Sequence, residues 1–280
     1  EAYGWRKTRY KNETLWIKGI IYNYNDISIL HKLSKIKSNL IKKFINSIDG
    51  HFAIIFESRN KILSFVDQIS SIPIFYYFKD QKFLISAYPS MISNRFKKSL
   101  NNNQVLSMSM ASYTIGDETI YKNLFSIKAG TFVVYTKKTN LFNKKDYHKY
   151  DCWKISKEQN FLKKKKQLSK LNISVIKKIY NYSLKKNKSI AIPLSAGFDS
   201  RFVASTLKTL GAKNVFCFSY GYKDNFESKA SKKIAKKLDF DWQFIELDNQ
   251  KIYEMYRSKK FKKFRKVFDT FNCVSDLTEF

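Results

Sequence analysis

Cysteine, proline and glycine are scarce in this sequence, and it contains no long hydrophobic run. The 280 residues include 3 Cys, 3 Pro and 8 Gly. The longest apolar runs, at residues 52–56 and 74–78, are far shorter than the roughly 20 residues that a transmembrane helix needs. The opening residues also carry no signal-peptide pattern. We therefore expect a soluble, cytoplasmic protein that does not bind membranes.

The few cysteines and histidines are scattered along the chain. Cys152, Cys217 and Cys273 contain no C-x-x-C pair, and the three histidines form no cluster. This spacing excludes a disulfide framework and a zinc or iron–sulfur site built on paired cysteines.

Acidic residues are greatly outnumbered by basic ones. There are 53 Lys and Arg against 23 Asp and Glu, which gives a formal net charge of +30. Clustered cations at 163–166 and 259–266 could neutralise nucleic-acid phosphates. Lys, Asn, Ile, Phe and Tyr are abundant together, however, as in an AT-rich coding genome that adds lysine to surfaces whatever the function. We interpret both runs as solvated helix faces, and we do not expect nucleic acid as a partner.

The two halves of the chain have different patterns. Over residues 1–140, short β-rich segments and one apolar helical pattern at 26–48 predict a layered antiparallel β domain with a covering helix. Residues 141–156 have no clear period and are predicted to be a connector. Over residues 157–280, a long helix at 157–186 precedes alternating strands and helices, which predicts an α/β domain with a parallel sheet. The predicted strands lie at 15–22, 52–57, 62–66, 74–78, 83–86, 131–135, 190–194, 215–220 and 243–247, and the later helices at 201–210 and 227–238.

The loop at residues 194–200 joins a predicted buried strand to a helix. Backbone N–H groups at such a junction, together with the helix dipole, can bind an anion. Ser195, Gly197 and Ser200 are small enough for a pyrophosphate to approach the backbone, and Asp199 could hold Mg²⁺. No Walker-A pattern occurs. From the residues alone, a plain turn capped by Ser195 or Asp199 is an equal alternative.

The loop Ser-Ala-Gly-Phe-Asp-Ser at 195–200 resembles the S-G-G-x-D-S pyrophosphate loop (PP-loop) of N-type ATP pyrophosphatases. With the strand at 215–221 and the segments at 227–230 and 234–238, this half is similar to the synthetase domain of the asparagine synthase family. Segments of the first half resemble that family's N-terminal glutamine amidotransferase domain. These segments are 19–23 (Gly-Ile-Ile-Tyr-Asn), 49–53 (Asp-Gly-His-Phe-Ala), 67–77 and 127–130 (Ile-Lys-Ala-Gly).

The resemblance implies a fold and an activity. The expected fold is an Ntn-type antiparallel β domain followed by a PP-loop (adenine nucleotide alpha hydrolase-like) α/β domain, each incomplete, in a sequence truncated at its C-terminus. The implied enzyme is a carbon–nitrogen ligase of amino-acid (asparagine) biosynthesis that uses ATP and Mg²⁺. A carboxylate, aspartate or a related one, attacks the α-phosphate to give an acyl-adenylate and pyrophosphate. Ammonia, free or from glutamine, then displaces AMP.

By the same resemblance, Asp199 and Glu227 are expected to be catalytic, and Asp199 is the expected magnesium ligand. Glu227 is equally explained as an acid that stabilises the dipole of its helix, and Arg201 as a phosphate contact or an exposed helix residue. The residues expected to bind ATP are Leu194, Ser195, Ala196, Gly197, Asp199, Ser200 and Tyr220.

The sequence also departs from the family pattern. Ala196 replaces a glycine, which requires a negative φ at this position. Lys18-Gly19-Ile20 stands where the family has an Asn-Gly-Glu segment that binds glutamine, and residues 34–39 contain no acid. The family's N-terminal nucleophilic cysteine is also not seen. We therefore expect the first half to keep its fold and to lack glutaminase activity.

Two other classes remain as alternatives: a PP-loop RNA-modifying enzyme, and a non-catalytic nucleotide-binding relative. The absence of paired cysteines for sulfur chemistry disfavours the first. The expected partners are small molecules, and the monomer and the homodimer are both left open.

Overall fold

A computed structural model describes residues 4–151, 160–268 and 270–273. The chain forms two compact units, one of Glu1–Cys152 with Lys259–Phe280 and one of Trp153–Ser258. The described residues 259–268 and 270–273 group with the first unit, and the sequence places them in the second predicted domain. Part of the predicted connector, at 152–156, and the predicted helix start at 157–159 lie outside the described residues.

The first unit contains two antiparallel sheets. Strands β1, β2, β3, β4, β8 and β9 form a six-stranded sheet in that order, and a three-stranded sheet has the order β6-β5-β7. In chain order these strands are β1 (Trp5–Tyr10), β2 (Glu13–Ile21), β3 (Gly50–Glu57), β4 (Lys61–Val66), β5 (Phe75–Lys79), β6 (Lys82–Ser86), β7 (Leu124–Ser126), β8 (Thr131–Thr136) and β9 (Leu141–Asp146).

The two sheets lie in the middle of four layers. Helices α1 (Asp26–Lys35) and α2 (Ile41–Asn46) bury Leu30 and Phe44 against one face of the six-stranded sheet. The opposite face packs on the three-stranded sheet, whose outer face is covered by α3 (Pro89–Ser93). Helices α4 (Asn102–Ala111) and α9 (Lys259–Phe268) complete the unit. The predicted layered antiparallel β structure with a covering helix is confirmed.

Two local predictions in this unit are wrong. The single helix predicted at 26–48 is broken after α1, because Ile36 and Lys37 are extended, and a 3-10 turn at Ser38–Leu40 precedes α2. The break lets both helices turn an apolar face to the sheet. The predicted connector begins in β9, an edge strand whose side chains are almost all exposed. An edge strand needs no apolar alternation, which is why its sequence shows none.

The second unit is an α/β structure with a parallel sheet of order β10-β11-β12. Ile176, Leu207 and Ala235, from its first three helices, share one core cluster with Ile192 and Cys217 of the sheet. The predicted parallel sheet is confirmed. In chain order the elements are α5 (Phe161–Lys185), β10 (Ile190–Pro193), α6 (Phe198–Thr209), β11 (Val215–Gly221), α7 (Phe226–Leu238), β12 (Asp241–Glu246) and α8 (Asn249–Arg257).

None of the helices in the described part of the chain combines the length and the apolar character needed to span a bilayer.

Candidate functional site

The candidate site lies in the second unit, at the edge where β10 and β11 end. Parallel strands present their carboxyl ends at one edge of a sheet, and ligands of open α/β sheets bind there. The backbone N–H of Leu194 donates to the carbonyl of Phe218 at 2.7 Å, which fixes the start of the loop on β11. The Leu194 side chain is 1% exposed and lies in the core. Only the backbone of Leu194 can therefore face a ligand.

Side-chain hydroxyls hold the loop in one shape. The Ser200 hydroxyl accepts from the Ser195 backbone N–H at 3.1 Å, and the two hydroxyl oxygens are 3.0 Å apart. The Ser195 hydroxyl in turn accepts from the Gly197 N–H at 3.1 Å. Three predicted site residues are thus brought together around one turn of backbone.

The N-terminus of α6 is left open by this arrangement. Gly197 is its N-cap and supplies no side-chain acceptor, whereas Asn160, Asn225 and Asp248 cap α5, α7 and α8 with hydrogen bonds of 2.7–3.0 Å. The first N–H groups of a helix have no partner within the helix and carry the positive end of its dipole. An anion can therefore occupy the position that a capping side chain fills elsewhere.

The loop backbone fits its small residues. The φ angle of Ala196 is not positive, so the methyl group that replaces the family's glycine is tolerated. Gly197 has φ −70° and needs no special conformation. A Cβ on Gly197 would lie 3.1 Å from the Ser195 hydroxyl, which is close enough to disturb the hydroxyl that organises the loop.

Asp199 lies in the first turn of α6 with an exposed side chain. Within the described residues its carboxylate makes no hydrogen bond or ion pair, so it is available to a ligand. The described part of the chain holds no group of three or more His, Cys, Asp or Glu that could bind a metal. Mg²⁺ usually takes one or two protein carboxylates and completes its shell with phosphate oxygens and water. Asp199 alone therefore fits a magnesium ion that arrives with a phosphate ligand.

Arg201 contacts the loop in a way that the sequence did not reveal. Its Nη2 donates to the Ala196 carbonyl at 2.6 Å, and its guanidinium lies 5.1 Å from the centre of the Phe198 ring. Phe198 is 83% exposed. The bond ties the first helical turn back to the loop, and the spacing of five residues from Ala196 to Arg201 is the only signal for it in the sequence.

The second predicted segment follows β11. Gly221 has φ +133°, and Asn225 caps α7 through the N–H of Ser228 at 2.8 Å. Glu227 is exposed in the first turn of α7, and Tyr220 is half-buried on β11. Within the described residues, no hydrogen bond or ion pair joins Glu227 to the loop at 194–200. The structure places both segments at one edge of the sheet, where β10 and β11 end.

A buried polar network supports this segment and was not predicted. The Ser231 hydroxyl lies 3.1 Å from the Ser219 hydroxyl and accepts from Trp242 Nε1 at 3.0 Å. It joins α7 to both neighbouring strands. Nearby, burial raises the pKa of Cys217 to about 11, which keeps this thiol protonated and unreactive near neutral pH.

In the first unit, the segment that departs from the family pattern lies on β2 beside β3. Gly19 has φ +97°, and a Cβ there would overlap the His51 carbonyl oxygen and come within 2.8 Å of Ile72 Cδ1. Lys18 is half-buried, and this burial lowers its pKa. The side chain of Ile20 offers no polar atom where the family has a carboxylate.

The second unit's geometry agrees with the comparison of the sequence with known families. Residues 175–274 match the family described as asparagine synthase. This segment is similar to the asparagine synthase family. The resemblance predicted from the loop is confirmed there, and the segment contains every predicted site residue.

Comparisons with individual proteins add little to the family match. One similar solved structure is the glutamine phosphoribosylpyrophosphate amidotransferase of B. subtilis with ADP and GMP, at 12% identity over 89% of this chain and a TM-score of 0.31. Another is described as the allosteric regulatory enzyme of purine biosynthesis, at 13% identity over 91% of this chain and a TM-score of 0.32. The chain spans 52% of each. TM-scores this low carry no argument, and no curated protein sequence matches the chain.

Proposed function

We propose that this protein is an ATP-dependent, AMP-forming carbon–nitrogen ligase of the asparagine synthase type. One observation carries the proposal: the uncapped N-terminus of α6 follows a loop tied by its own serines, inside the segment that matches the family. An uncapped helix start of this kind suits a pyrophosphate better than it suits a neutral ligand.

ATP would lie across the edge of the parallel sheet. Its phosphates would contact the loop N–H groups and the hydroxyls of Ser195 and Ser200. The backbone at Leu194 and Tyr220 would flank the adenosine, since the Leu194 side chain is in the core. Asp199 would hold Mg²⁺, which when bound neutralises phosphate charge.

The reaction would proceed in two steps. A carboxylate oxygen of aspartate, or of a related substrate, attacks the α-phosphorus, and the bond to pyrophosphate breaks with its electron pair on the leaving oxygen. The loop N–H groups stabilise the charge that develops on that oxygen. Ammonia then attacks the acyl carbon, loses a proton and displaces AMP. We propose Glu227, the other predicted carboxylate at this edge, as the second catalytic residue.

We also propose that the first unit is an Ntn-type amidotransferase-like domain that does not hydrolyse glutamine. The order of its layers, helix, sheet, sheet and helix, supports the fold. Lys18 and Ile20 support the loss of activity, because they leave no acceptor for the α-amino group of glutamine. The nitrogen donor would then be ammonia. The proposed partners remain small molecules in the cytoplasm.

The test is release of AMP and pyrophosphate from ATP, Mg²⁺ and aspartate, with ammonium or with glutamine. We expect AMP with ammonium only. Asp199→Asn should abolish turnover, and Asp241→Asn, which removes an equally exposed carboxylate from β12, should leave it unchanged.

Other outcomes have definite meanings. AMP formed equally from glutamine would show that our interpretation of Lys18 and Ile20 is wrong. ATP binding without AMP, over a panel of carboxylates, would overturn the ligase in favour of a non-catalytic nucleotide-binding protein.

A further inference from the structure

A basic cleft of about 690 Å³ lies in the first unit, away from the segments discussed so far. Three pieces of chain converge on it: the β1–β2 turn, the end of α1 and the β3–β4 turn. We propose that this cleft binds a sugar phosphate, either free or as part of a nucleotide. Its charged lining residues are Lys11, Glu13, Lys35, Arg59 and Lys61.

The cleft is separate from the altered glutamine segment. Glu13 begins β2, whereas Gly19 and Ile20 lie near its other end. At about 3.3 Å per residue, six residues of strand separate the two places by about 20 Å. The cleft and that segment are therefore at opposite ends of the sheet.

The positive charge of the cleft is not compensated by its surroundings. Lys11, Lys35, Arg59 and Lys61 contribute four cations against the single carboxylate of Glu13. Among the described residues, these four side chains form no ion pair, although Lys137, Lys144 and Arg6 of the same unit each do. Lys11 and Lys61 lie 5.5 Å and 5.9 Å from the ring centres of Tyr10 and Phe56. An anion that enters the cleft can therefore interact with all four cations without displacing a carboxylate from any of them.

Lys61 gives the cleft a desolvated cation. Burial lowers its pKa, and the charge of Glu13 opposes that effect without forming an ion pair. A doubly charged phosphate beside the ammonium group would favour its protonated form. Because a phosphate has several oxygens, it can accept hydrogen bonds from Lys61 and from the exposed Lys35 and Arg59 at the same time.

Glu13 makes the cleft more selective than a patch of lysines. One of its carboxylate oxygens accepts a hydrogen bond from the Ser34 hydroxyl, and the other has no hydrogen bond from a described residue. A carboxylate in this position repels bare phosphate but accepts hydrogen bonds from the hydroxyls of a ribose. Tyr10 and His31, with ring centres 5.1 Å apart, line the side of the cleft. The volume is in the range of small-molecule sites, about 300–1,000 Å³.

The experiment is isothermal titration calorimetry of the intact protein without magnesium, using ribose 5-phosphate, uridine 5′-monophosphate, inorganic phosphate and ribose. We expect ribose 5-phosphate to bind and ribose not to bind. K35Q/R59Q should weaken the binding of ribose 5-phosphate at least about tenfold, since each of the two substitutions removes a charged hydrogen-bond donor. K42Q/K43Q removes the same charge from exposed positions on α2 and should have no effect.

The E13Q variant tests the sugar contact directly. It should weaken ribose 5-phosphate and leave inorganic phosphate unchanged or tighter, whereas a simple basic patch would bind both more tightly. The affinities of uridine 5′-monophosphate and ribose 5-phosphate distinguish a nucleotide site from a site for the free sugar phosphate. Tighter binding of either ligand supports the proposal. The thermal midpoint of each variant verifies that it folds.

Three results would overturn the proposal: no binding of either ribose 5-phosphate or uridine 5′-monophosphate, equal loss of affinity in K35Q/R59Q and K42Q/K43Q, or tighter binding of ribose 5-phosphate by E13Q. The inference does not rest on the proposed ligase, because Asp199→Asn should abolish AMP formation without changing binding in the cleft.

Discussion

Gly19→Ala is expected to unfold or severely destabilise the first unit, because the backbone of β3 leaves no room for a Cβ at Gly19 of β2. Gly19 faces Phe52 in the antiparallel pairing, and its φ of +97° is disfavoured for any residue with a Cβ. That conformation costs an alanine roughly 1–2 kcal/mol. The added methyl would also overlap the His51 carbonyl oxygen. To relieve the overlap, β2 must move away from β3, and each ladder hydrogen bond lost costs about 1 kcal/mol.

The sum is about 4 kcal/mol or more if two or three ladder bonds break, a large part of the 5–15 kcal/mol that stabilises an ordinary domain. Gly116→Ala is the matched control. Gly116 also has positive φ, +79°, but a Cβ there meets nothing within 4 Å, so only the conformational cost remains. Urea unfolding followed by near-ultraviolet circular dichroism gives both free energies. If Gly19→Ala loses no more stability than Gly116→Ala, the backbone contact is not as close as the structure shows.

Three further predictions concern the second unit. Ser231→Ala should cost about 1–3 kcal/mol in the free energy of unfolding, because it leaves the Trp242 indole N–H without its acceptor. Ser205→Ala removes a half-buried hydroxyl that bonds to the backbone of its own helix, and it should change the free energy of unfolding by less than about 0.5 kcal/mol. Arg201→Gln should raise the Kd for ATP about fivefold with little change in stability, since it breaks an exposed bond to the loop worth about 1 kcal/mol; an unchanged Kd would show that the bond does not position the loop. The pKa of Cys217 is raised from 9.0 to about 11, so between these pH values the folded state holds a proton that the unfolded state has lost. The contribution of this thiol to the free energy of unfolding should therefore be constant below pH 9. It should fall by up to about 1.4 kcal/mol per pH unit between pH 9 and 11. Cys217→Val should remove that part of the slope.

Buried strands could be predicted from the sequence, and the exposed edge strands β1 and β9 could not. The patterns at 52–57 and 62–66 predicted β3 and β4 closely, because both strands are mostly buried and their apolar side chains pack in the core. The edge strands β1 and β9 pair on one side only and expose most of their side chains, so their sequences show no alternation. Burial, not pairing itself, produces the pattern that sequence analysis detects.

The start of α6 shows the same limit at the level of one turn. The sequence predicted a helix from residue 201, and α6 begins at Phe198. Helix starts are usually recognised by a capping side chain, and here Gly197 provides none. The predicted start of α6 was therefore wrong at the position where open N–H groups make a candidate anion site.

The loop at 194–200 could be assembled from sequence because its parts are neighbours in the chain. Ser195, Gly197 and Ser200 bond to one another within six consecutive residues, so one short segment that resembles a known loop contains all three. The basic cleft could not be found in this way. Its lining comes from three segments that only the pairing of β1 with β2 and β3 with β4, and the packing of α1, bring together.

Net charge was a poor guide to where phosphate would bind, and the structure explains why. The candidate loop offers neutral backbone N–H groups and an acid, Asp199, and its nearest cation, Arg201, is bonded to a carbonyl within the loop. Most of the excess lysine lies elsewhere, on exposed faces such as that of α5. Backbone dipoles select a phosphate by geometry and leave its remaining charge to a metal ion, whereas side-chain cations neutralise it directly. The proposed loop site and the proposed cleft would thus bind phosphate by two different kinds of contact, and the net charge alone indicates neither.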